Sequence, residues 1–338
     1  LHILPGLRYN YDKKELDYSR QTYGGLQTTD PVLLSLKRAV YTDQAFVSAA
    51  NNTNVSANIT VSYKPSDRLN VYATYSNNYK SVGLNLGGLP TKAGSDSADL
   101  SLSQVKPEYV QHYEFGIKSQ PFKGAILNFT VFNTNINDYQ TTVQVPQIGL
   151  NRGYLANAEK VNVKGVELDF SYQPSKNISF TTAVAYTDGK YVSFKNAPLP
   201  LEETGKTVNG QQVAFKDVSG GRLPGISRWN FSSSVDWSFA NLIVNKYTGK
   251  LFAAVDASYR SDYSSNPTPS AVLNIDAYAL VNARFGFRSE KFSAFIWARN
   301  LTNTQYFEQL QAAAGNSGLI AGVLGDPQTY GITFKTNF

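Results

Sequence analysis

The chain has 338 residues, 42% of them hydrophobic and 13% aromatic, with 22 Tyr and 19 Phe, a mean hydropathy of −0.30 and a formal charge of +6. No run of 18 apolar residues occurs, which excludes a membrane-spanning helix but not a barrel, because a barrel strand alternates lipid-facing and lumen-facing residues and its hydropathy averages out. There is no Cys, and His2 and His112 are the only histidines, so disulfides, thiolate chemistry and a His-based metal site are set aside, and no cofactor is expected; Lys and Arg are scattered rather than striped, which argues against nucleic acid.

Composition is uniform along the chain, so one domain spanning 1–338 is expected; the lack of Met and of a signal peptide marks a processed or partial chain. Period-2 alternation recurs from end to end. Val55, Ala57, Ile59, Val61 and Tyr63 alternate with polar residues, as do Leu69, Val71, Ala73 and Tyr75. Val166, Leu168, Phe170 and Tyr172 oppose Glu167, Asp169 and Ser171. From Trp229 the apolar side carries Phe231, Val235, Trp237 and Phe239, broken only by Ser233, and at the end Tyr330, Ile332, Phe334 and Phe338 alternate with Gly331, Thr333, Lys335 and Asn337. About twelve strands follow, near residues 3–12, 54–64, 68–80, 109–119, 124–137, 161–173, 177–187, 228–239, 250–261, 275–288, 291–300 and 328–338. Many reach ten residues, the length of roughly 9–11 that a tilted strand needs to cross a bilayer and longer than the roughly 5–6 of a soluble sandwich.

The connections alternate in length. Short ones fall at Pro65-Ser66-Asp67, Gln120 to Lys123, Pro174-Ser175-Lys176, Ala240 to Gly249 and Ser289-Glu290; long ones cover 13–53, 81–108, 138–160, 188–227, 262–274 and 301–327. That asymmetry predicts an antiparallel outer-membrane β-barrel with short periplasmic turns, long extracellular loops and a periplasmic C-terminus. Two loops carry helix signals: Asp30-Pro31 as cap and first turn before Val32 to Val40, and Phe307 to Ala314 before Gly315.

Several segments resemble those of the TonB-dependent outer-membrane receptors, in that family's order. They are Gly6-Leu7-Arg8-Tyr9; Val71 to Ser76 running on to Tyr79-Lys80-Ser81; Lys106-Pro107-Glu108 leading to Tyr113-Glu114-Phe115-Gly116-Ile117-Lys118; Val163 to Glu167; Leu223-Pro224; Asn300-Leu301-Thr302-Asn303 before Tyr306; and Tyr330-Gly331 near Phe338. The resemblance implies the later half of a barrel of roughly 22 strands, in the bacterial outer membrane, whose N-terminal plug, early strands and TonB-engaging segment are not in the chain. It further implies active uptake of a scarce solute such as a ferric siderophore, with the TonB complex as partner, and Phe338 as the signal for barrel assembly.

Candidate lumen or plug-facing residues are Glu114, Lys118, Glu167, Asp169, Asp236, Asp256, Arg260, Arg284 and Arg299, with Trp297 placed by alternation on the face of Arg299. A hydrated wall is the ordinary role for any one of them. Glu167 and Asp169 are spaced like an acid–base pair, yet no nucleophile or His accompanies them, so no catalytic residue is assigned and the chain is not read as an enzyme. Trp229 and Trp237 belong to interfacial aromatic girdles. Tyr79, Lys80, Arg152, Tyr154, Arg222, Tyr263 and Tyr306 are candidates for an extracellular mouth that grips an anionic or catecholate-like solute by charge-assisted hydrogen bonds and stacking. The Asn54-Val55-Ser56 and Asn58-Ile59-Thr60 sequons carry little weight in a bacterial barrel. The alternatives are a passive porin-like channel, an outer-membrane protease or lipase, and a glycan importer or adhesin with a surface lipoprotein partner.

Overall fold

The computed structural model describes residues 1–21, 23–24, 27–34, 43–87, 89, 97–147, 150–203, 205–213, 215–266, 268–313 and 319–336, with side chains at all of these except 144–147, 150–153 and 211–212. Twelve antiparallel strands form one sheet: β1 (His2–Arg20), β2 (Gln44–Ser66), β3 (Leu69–Lys80), β4 (Glu108–Ser119), β5 (Ala125–Gln147), β6 (Leu150–Ser175), β7 (Ile178–Ser193), β8 (Trp229–Val244), β9 (Tyr247–Arg260), β10 (Tyr278–Ser289), β11 (Phe292–Arg299) and β12 (Thr329–Thr336). Each pairs with its neighbours in sequence, and β1 and β12 each have a single partner among the described residues.

The register keeps the two faces separate across the whole sheet. One row runs Tyr63, Val71, Ile117, Phe129, Leu168, Val184, Phe231, Tyr259 and Ala279, one residue from each strand from β2 to β10. A row on the opposite face runs Asn70, Lys118, Asn128, Asp169, Ala183, Ser232, Ser258 and Leu280. A one-residue slip anywhere would exchange these faces, so a single register satisfies all pairs. The apolar face is left open: Leu7 is 79% exposed and Tyr330 and Ile332 are 80% exposed. An uncovered apolar surface of this extent needs a nonaqueous neighbour, and hydrocarbon supplies it. On the polar face, small residues make room for rings: a Cβ at Gly116 would lie 2.4 Å from the Tyr72 ring, and one at Gly165 2.7 Å from Phe132.

Two expectations are corrected. The connection expected at 138–160 is almost all strand, and strand reaches into both ends of the one expected at 13–53, because β1 and β2 stay paired out to Arg20 and Gln44, and β5 and β6 out to Gln147 and Leu150. The sequence conceals this because those outer stretches carry Asn, Thr and Gln on either side, as a ladder standing beyond the lipid can. The β5–β6 pairing lapses once, at Asp138, whose φ is 53°, opposite Glu159, and resumes in the same register. The extension is held by a cap from the 188–227 connection, where Phe194, Ala197, Val218 and Leu223 pack on Val143, Tyr154, Ala158, Val161 and Tyr191. The second correction is the helix expected over Phe307 to Ala314: Phe307–Ala312 is a strand paired with Ile320–Leu324. At the other helix signal, the Asp30 carboxylate accepts from the amides of Val32 and Leu33 at 2.8 and 3.2 Å, capping a helical turn at 31–34; residues 35–40 lie outside the described set.

The separation of faces predicts opposite responses at adjacent positions. Val235→Arg, on the apolar face, is expected to lower stability by about 2–4 kcal/mol, while Ser234→Arg, on the polar face beside Asp256, costs less than about 1 kcal/mol. Urea titration of barrel refolding into lipid vesicles measures both.

Candidate functional site

The polar face gathers the charged residues expected on it, since Glu114, Lys118, Glu167, Asp169, Asp236, Asp256, Arg260, Arg284 and Arg299 occupy alternate positions of the same register set. The structure joins them into short chains. Tyr72 donates to Glu114 Oε1 at 2.7 Å, His112 Nε2 lies 3.3 Å from Glu114 Oε2, and His112 Nδ1 lies 2.8 Å from Thr134 Oγ1. The Lys118 ammonium sits 5.6 Å from the centre of the Tyr72 ring. Farther along the sheet Arg284 pairs with Asp256 at 3.4 Å and Arg288 with Asp236 at 3.1 Å. Trp297 donates to Thr333 on this face, with the Arg299 guanidinium 5.3 Å from its ring centre. Tyr72, His112 and Arg288 were absent from the expected set, although alternation alone puts Tyr72 and His112 on this face.

Above the wall, at the end opposite the short turns, a tyrosine and arginine cluster closes over the ends of β9 and β10. Arg260 donates to Ser227 Oγ at 2.8 Å and to the Gly225 carbonyl at 2.7 Å, and its guanidinium lies 3.7 Å from the centre of the Tyr263 ring. Tyr263 is buried and donates to the Glu308 carbonyl at 2.8 Å; Tyr278 and Tyr306 stack at 4.3 Å between centroids. Burial raises the hydroxyls of Tyr263 and Tyr306, which keeps both protonated as hydrogen-bond donors across the neutral range. A concavity of about 560 Å³ runs from this cluster down the wall, lined among others by Glu167, Asp169, Arg260, Tyr278, Tyr306 and Glu308. Arg260 was expected on the lumen wall and Tyr263 and Tyr306 at the mouth; Tyr278, the first residue of β10, was in neither set.

The other expected mouth residues go elsewhere. Lys80 pairs with Glu108 at 3.1 Å, and that buried carboxylate also accepts from the Gln140 amide at 2.7 Å. Tyr79 alternates onto the face of Tyr75 and Tyr113, opposite Lys80. Tyr154 is buried in the apolar cap rather than presented to a ligand. Arg222 is spent on the loops, donating to the Asp262 carboxylate at 2.7 Å and its carbonyl at 2.9 Å. The Arg152 side chain and Phe338 lie outside the described residues. Two side-chain amides that sequence reading passed over secure the 81–105 connection. Asn85 accepts from the Leu155 amide at 2.6 Å and donates to the carbonyls of Leu155 and Leu102, while Gln44 exchanges two hydrogen bonds with the backbone of Leu89. Each amide acts as a strand neighbour would. Among the described residues, no group of three or more His, Asp or Glu converges on a metal-sized site.

Comparisons with known proteins bear on this wall as a whole. The family model described as TonB dependent receptor-like, beta-barrel, matches residues 1–301. Among solved structures, the chain is similar to the ferric yersiniabactin uptake receptor FyuA from Yersinia pestis, with 19% identity, a TM-score of 0.70, 99% of this chain covered and 43% of that one. It is also similar to the copper transporter OprC (16% identity, TM-score 0.64, 99% and 45% covered) and to the closed form of the ferric-catecholate import receptor Fiu from E. coli K12 (16%, 0.61, 98% and 41%). The chain thus spans less than half the length of each.

Two predictions follow from how the loops are secured. Replacing Asn85 with Ala leaves a backbone amide and two carbonyls without their partner, a cost of about 1–3 kcal/mol for a buried group; hydrogen exchange should speed up over 81–105 with strand protection unchanged. Glu203 is held below the usual carboxylate range chiefly by its hydrogen bond from Lys216. Its folded value lies below its unfolded one, so the brace is present at neutral pH and is lost as pH falls below the ordinary carboxylate range. Exchange over 197–216 should rise there, and Glu203→Gln should remove that pH dependence.

Proposed function

This chain belongs to the TonB-dependent receptor β-barrel family, whose members are outer-membrane receptors and not enzymes, and from that premise we propose that it forms the wall and outer mouth of an energised importer of a scarce, anionic metal chelate. The observation that carries the reading is the Arg260, Tyr263, Tyr278 and Tyr306 cluster at the head of a concavity lined by both charged and apolar residues. Stacked phenol rings of Tyr278 and Tyr306 offer a face to a planar ligand ring, and a protonated hydroxyl such as that of Tyr306 donates to its oxygens. The solved neighbours named for ferric yersiniabactin, ferric catecholates and copper support a metal-containing solute, and a ferric siderophore or similar iron complex is the form proposed here. The polar wall below supplies hydrogen bonds to a plug and to water, and part of its charge is taken up in the pairs of Arg284 with Asp256 and Arg288 with Asp236.

In the same reading the twelve strands are the later portion of a larger barrel. Backbone groups of β1 and β12 that face no partner here are costly in hydrocarbon, so further strands close the sheet and a plug domain and TonB supply gating and energy. A passive channel is the second reading, and it differs in requiring no energy source.

Uptake of radiolabelled ferric chelates by cells carrying the full-length receptor separates the two. Transport should vanish in a TonB-deficient strain; transport unchanged there, with steady single-channel conductance, would establish the passive channel instead. Within the importer reading, Tyr278→Ala or Tyr306→Ala should weaken chelate binding by about tenfold, the size expected for one lost stacking contact.

A further inference from the structure

The short-turn end of the wall, which the connection lengths place in the periplasm, carries a stretch of strand edge without a partner. Pairing of β3 with β4 continues to Arg68 and Gln120, and that of β5 with β6 to Gly124 and Gln173, each at its turn. Pairing of β7 with β8 stops early. Its last bond runs from the Ser238 amide to the Asn177 carbonyl at 2.7 Å, and β8 then continues through Ala240 to Val244 joined only to β9. A bulge at Phe239, whose ring packs on Trp237 at 5.0 Å and on Phe285 at 6.3 Å between centroids, bends the strand there. The hairpin closes on a two-residue turn with Asn245 at a φ of 57°, so Val244 and Tyr247 exchange hydrogen bonds and the pairs alternate from that point. Leu242 is therefore bonded to Gly249, while the main-chain groups of Asn241 and Ile243 point away from β9, into the space below the turn between β6 and β7.

Hydrocarbon does not admit an open edge, so this one stands in water. Its side chains are not those of a protected edge. Leu242, Ile243 and Val244 are 41%, 69% and 41% exposed, and neither a charge nor a Pro occurs from Ala240 to Val244. Cations border it: Lys176 in the adjacent turn and Lys246 at the hairpin tip are exposed, and the Lys250 ammonium reaches Asn177 Oδ1 at 2.5 Å. Neither 170–180 nor 237–255 contains an Asp or Glu, and Glu290, in the next short turn, lies beyond β9 on the other side.

We infer that the β8 edge at Ala240–Val244 takes up one added strand from a separate periplasmic protein, an extended, acidic segment without Pro. The N–H and C=O groups of Asn241 and Ile243 are satisfied together by another main chain, which a lipid or a polyanion cannot supply. Further barrel strands add only at β1 and β12, since β7 already holds the same edge of β8 above Ser238. A plug inside the lumen meets the polar face of the sheet, whereas this edge opens below the wall, where a periplasmic chain reaches it. Lys176, Lys246 and Lys250 favour a segment carrying carboxylates. The inference does not depend on the importer reading, because a passive barrel would carry the same edge.

The test places the photo-crosslinker p-benzoylphenylalanine at Asn241 of the full-length receptor in cells and maps the adducts by peptide mass spectrometry. The expected adduct joins position 241 to one acidic, Pro-free segment of another protein, and it should form equally in a TonB-deficient strain. Ile243→Pro removes a free-edge donor and no bond to β9, and should lower the yield about fivefold or more, whereas Ile243→Ala keeps both donor and yield. K176Q/K246Q/K250Q should lower the yield as well. An adduct to lipid, to the receptor's own chain or to a basic segment overturns the inference, as does no adduct, or one that requires TonB. Equal yields from the Pro and Ala variants overturn it too, since strand addition needs the donor that only Pro removes. Heat-modifiable gel mobility checks each barrel; if the Pro variant fails to assemble, the lysine variant decides, and an unchanged yield there overturns the inference.

Discussion

Every peptide group in this sheet must find its hydrogen bond inside the protein, because hydrocarbon offers none. That constraint makes the ladder continuous from β1 to β12 and leaves the side chains to decide only which way each face points. With an unbroken ladder the alternation of residues becomes an alternation of environments. Val184, Phe231 and Tyr259 share one side in register, and Ala183, Ser232 and Ser258 the other. The same constraint explains the amide side chains of Asn85 and Gln44 at the outer end. Where the main chain stops pairing with main chain, a carboxamide provides one donor and one acceptor in its place.

The two ends of the barrel wall are built on different physics. Within the membrane the apolar side chains need only lipid beside them, and few are buried by other protein atoms. Beyond it, the long connections have to make a core of their own, and Phe194, Ala197, Val218 and Leu223 do so on the extended β5–β6 hairpin. This arrangement consumes residues that look like ligand contacts. Arg222 and Lys80 are charged, near the mouth and exposed in part, yet both hold connections together. What is left for a solute is the smaller set around Tyr278 and Tyr306, where the rings stack on each other and open on a concavity shared with Glu167 and Asp169.

Part of the charge on the wall is paired across strands, as in Arg284 with Asp256 and Arg288 with Asp236. Such partly exposed pairs contribute little to stability, but they leave the inner surface hydrated and without a strong trap for a passing ion. The Tyr72, Glu114 and His112 chain has the same effect on earlier strands of the same face, with Gly116 providing the space in which the Tyr72 ring lies down.

Alternation in the sequence determined the strand count and the face of each charged residue, because a period of two is fixed by backbone geometry, and the lengths of the connections determined at which end the loops would be long. Alternation failed where it no longer reports burial: in the Asn, Thr and Gln ladder of β5 and β6 above the lipid, in Phe307–Ala312, whose pairing with Ile320–Leu324 is decided by the partner strand, and in Tyr154, which the cap covers. Which charges face solute and which are spent on other residues was settled only by tertiary structure, since Glu108, Asp262 and Asp188 lie 28, 40 and 2 positions from the cations they hold, Lys80, Arg222 and Lys190. Sequence distance carries no information about such pairs; the register of the sheet and the folding of its loops bring them together.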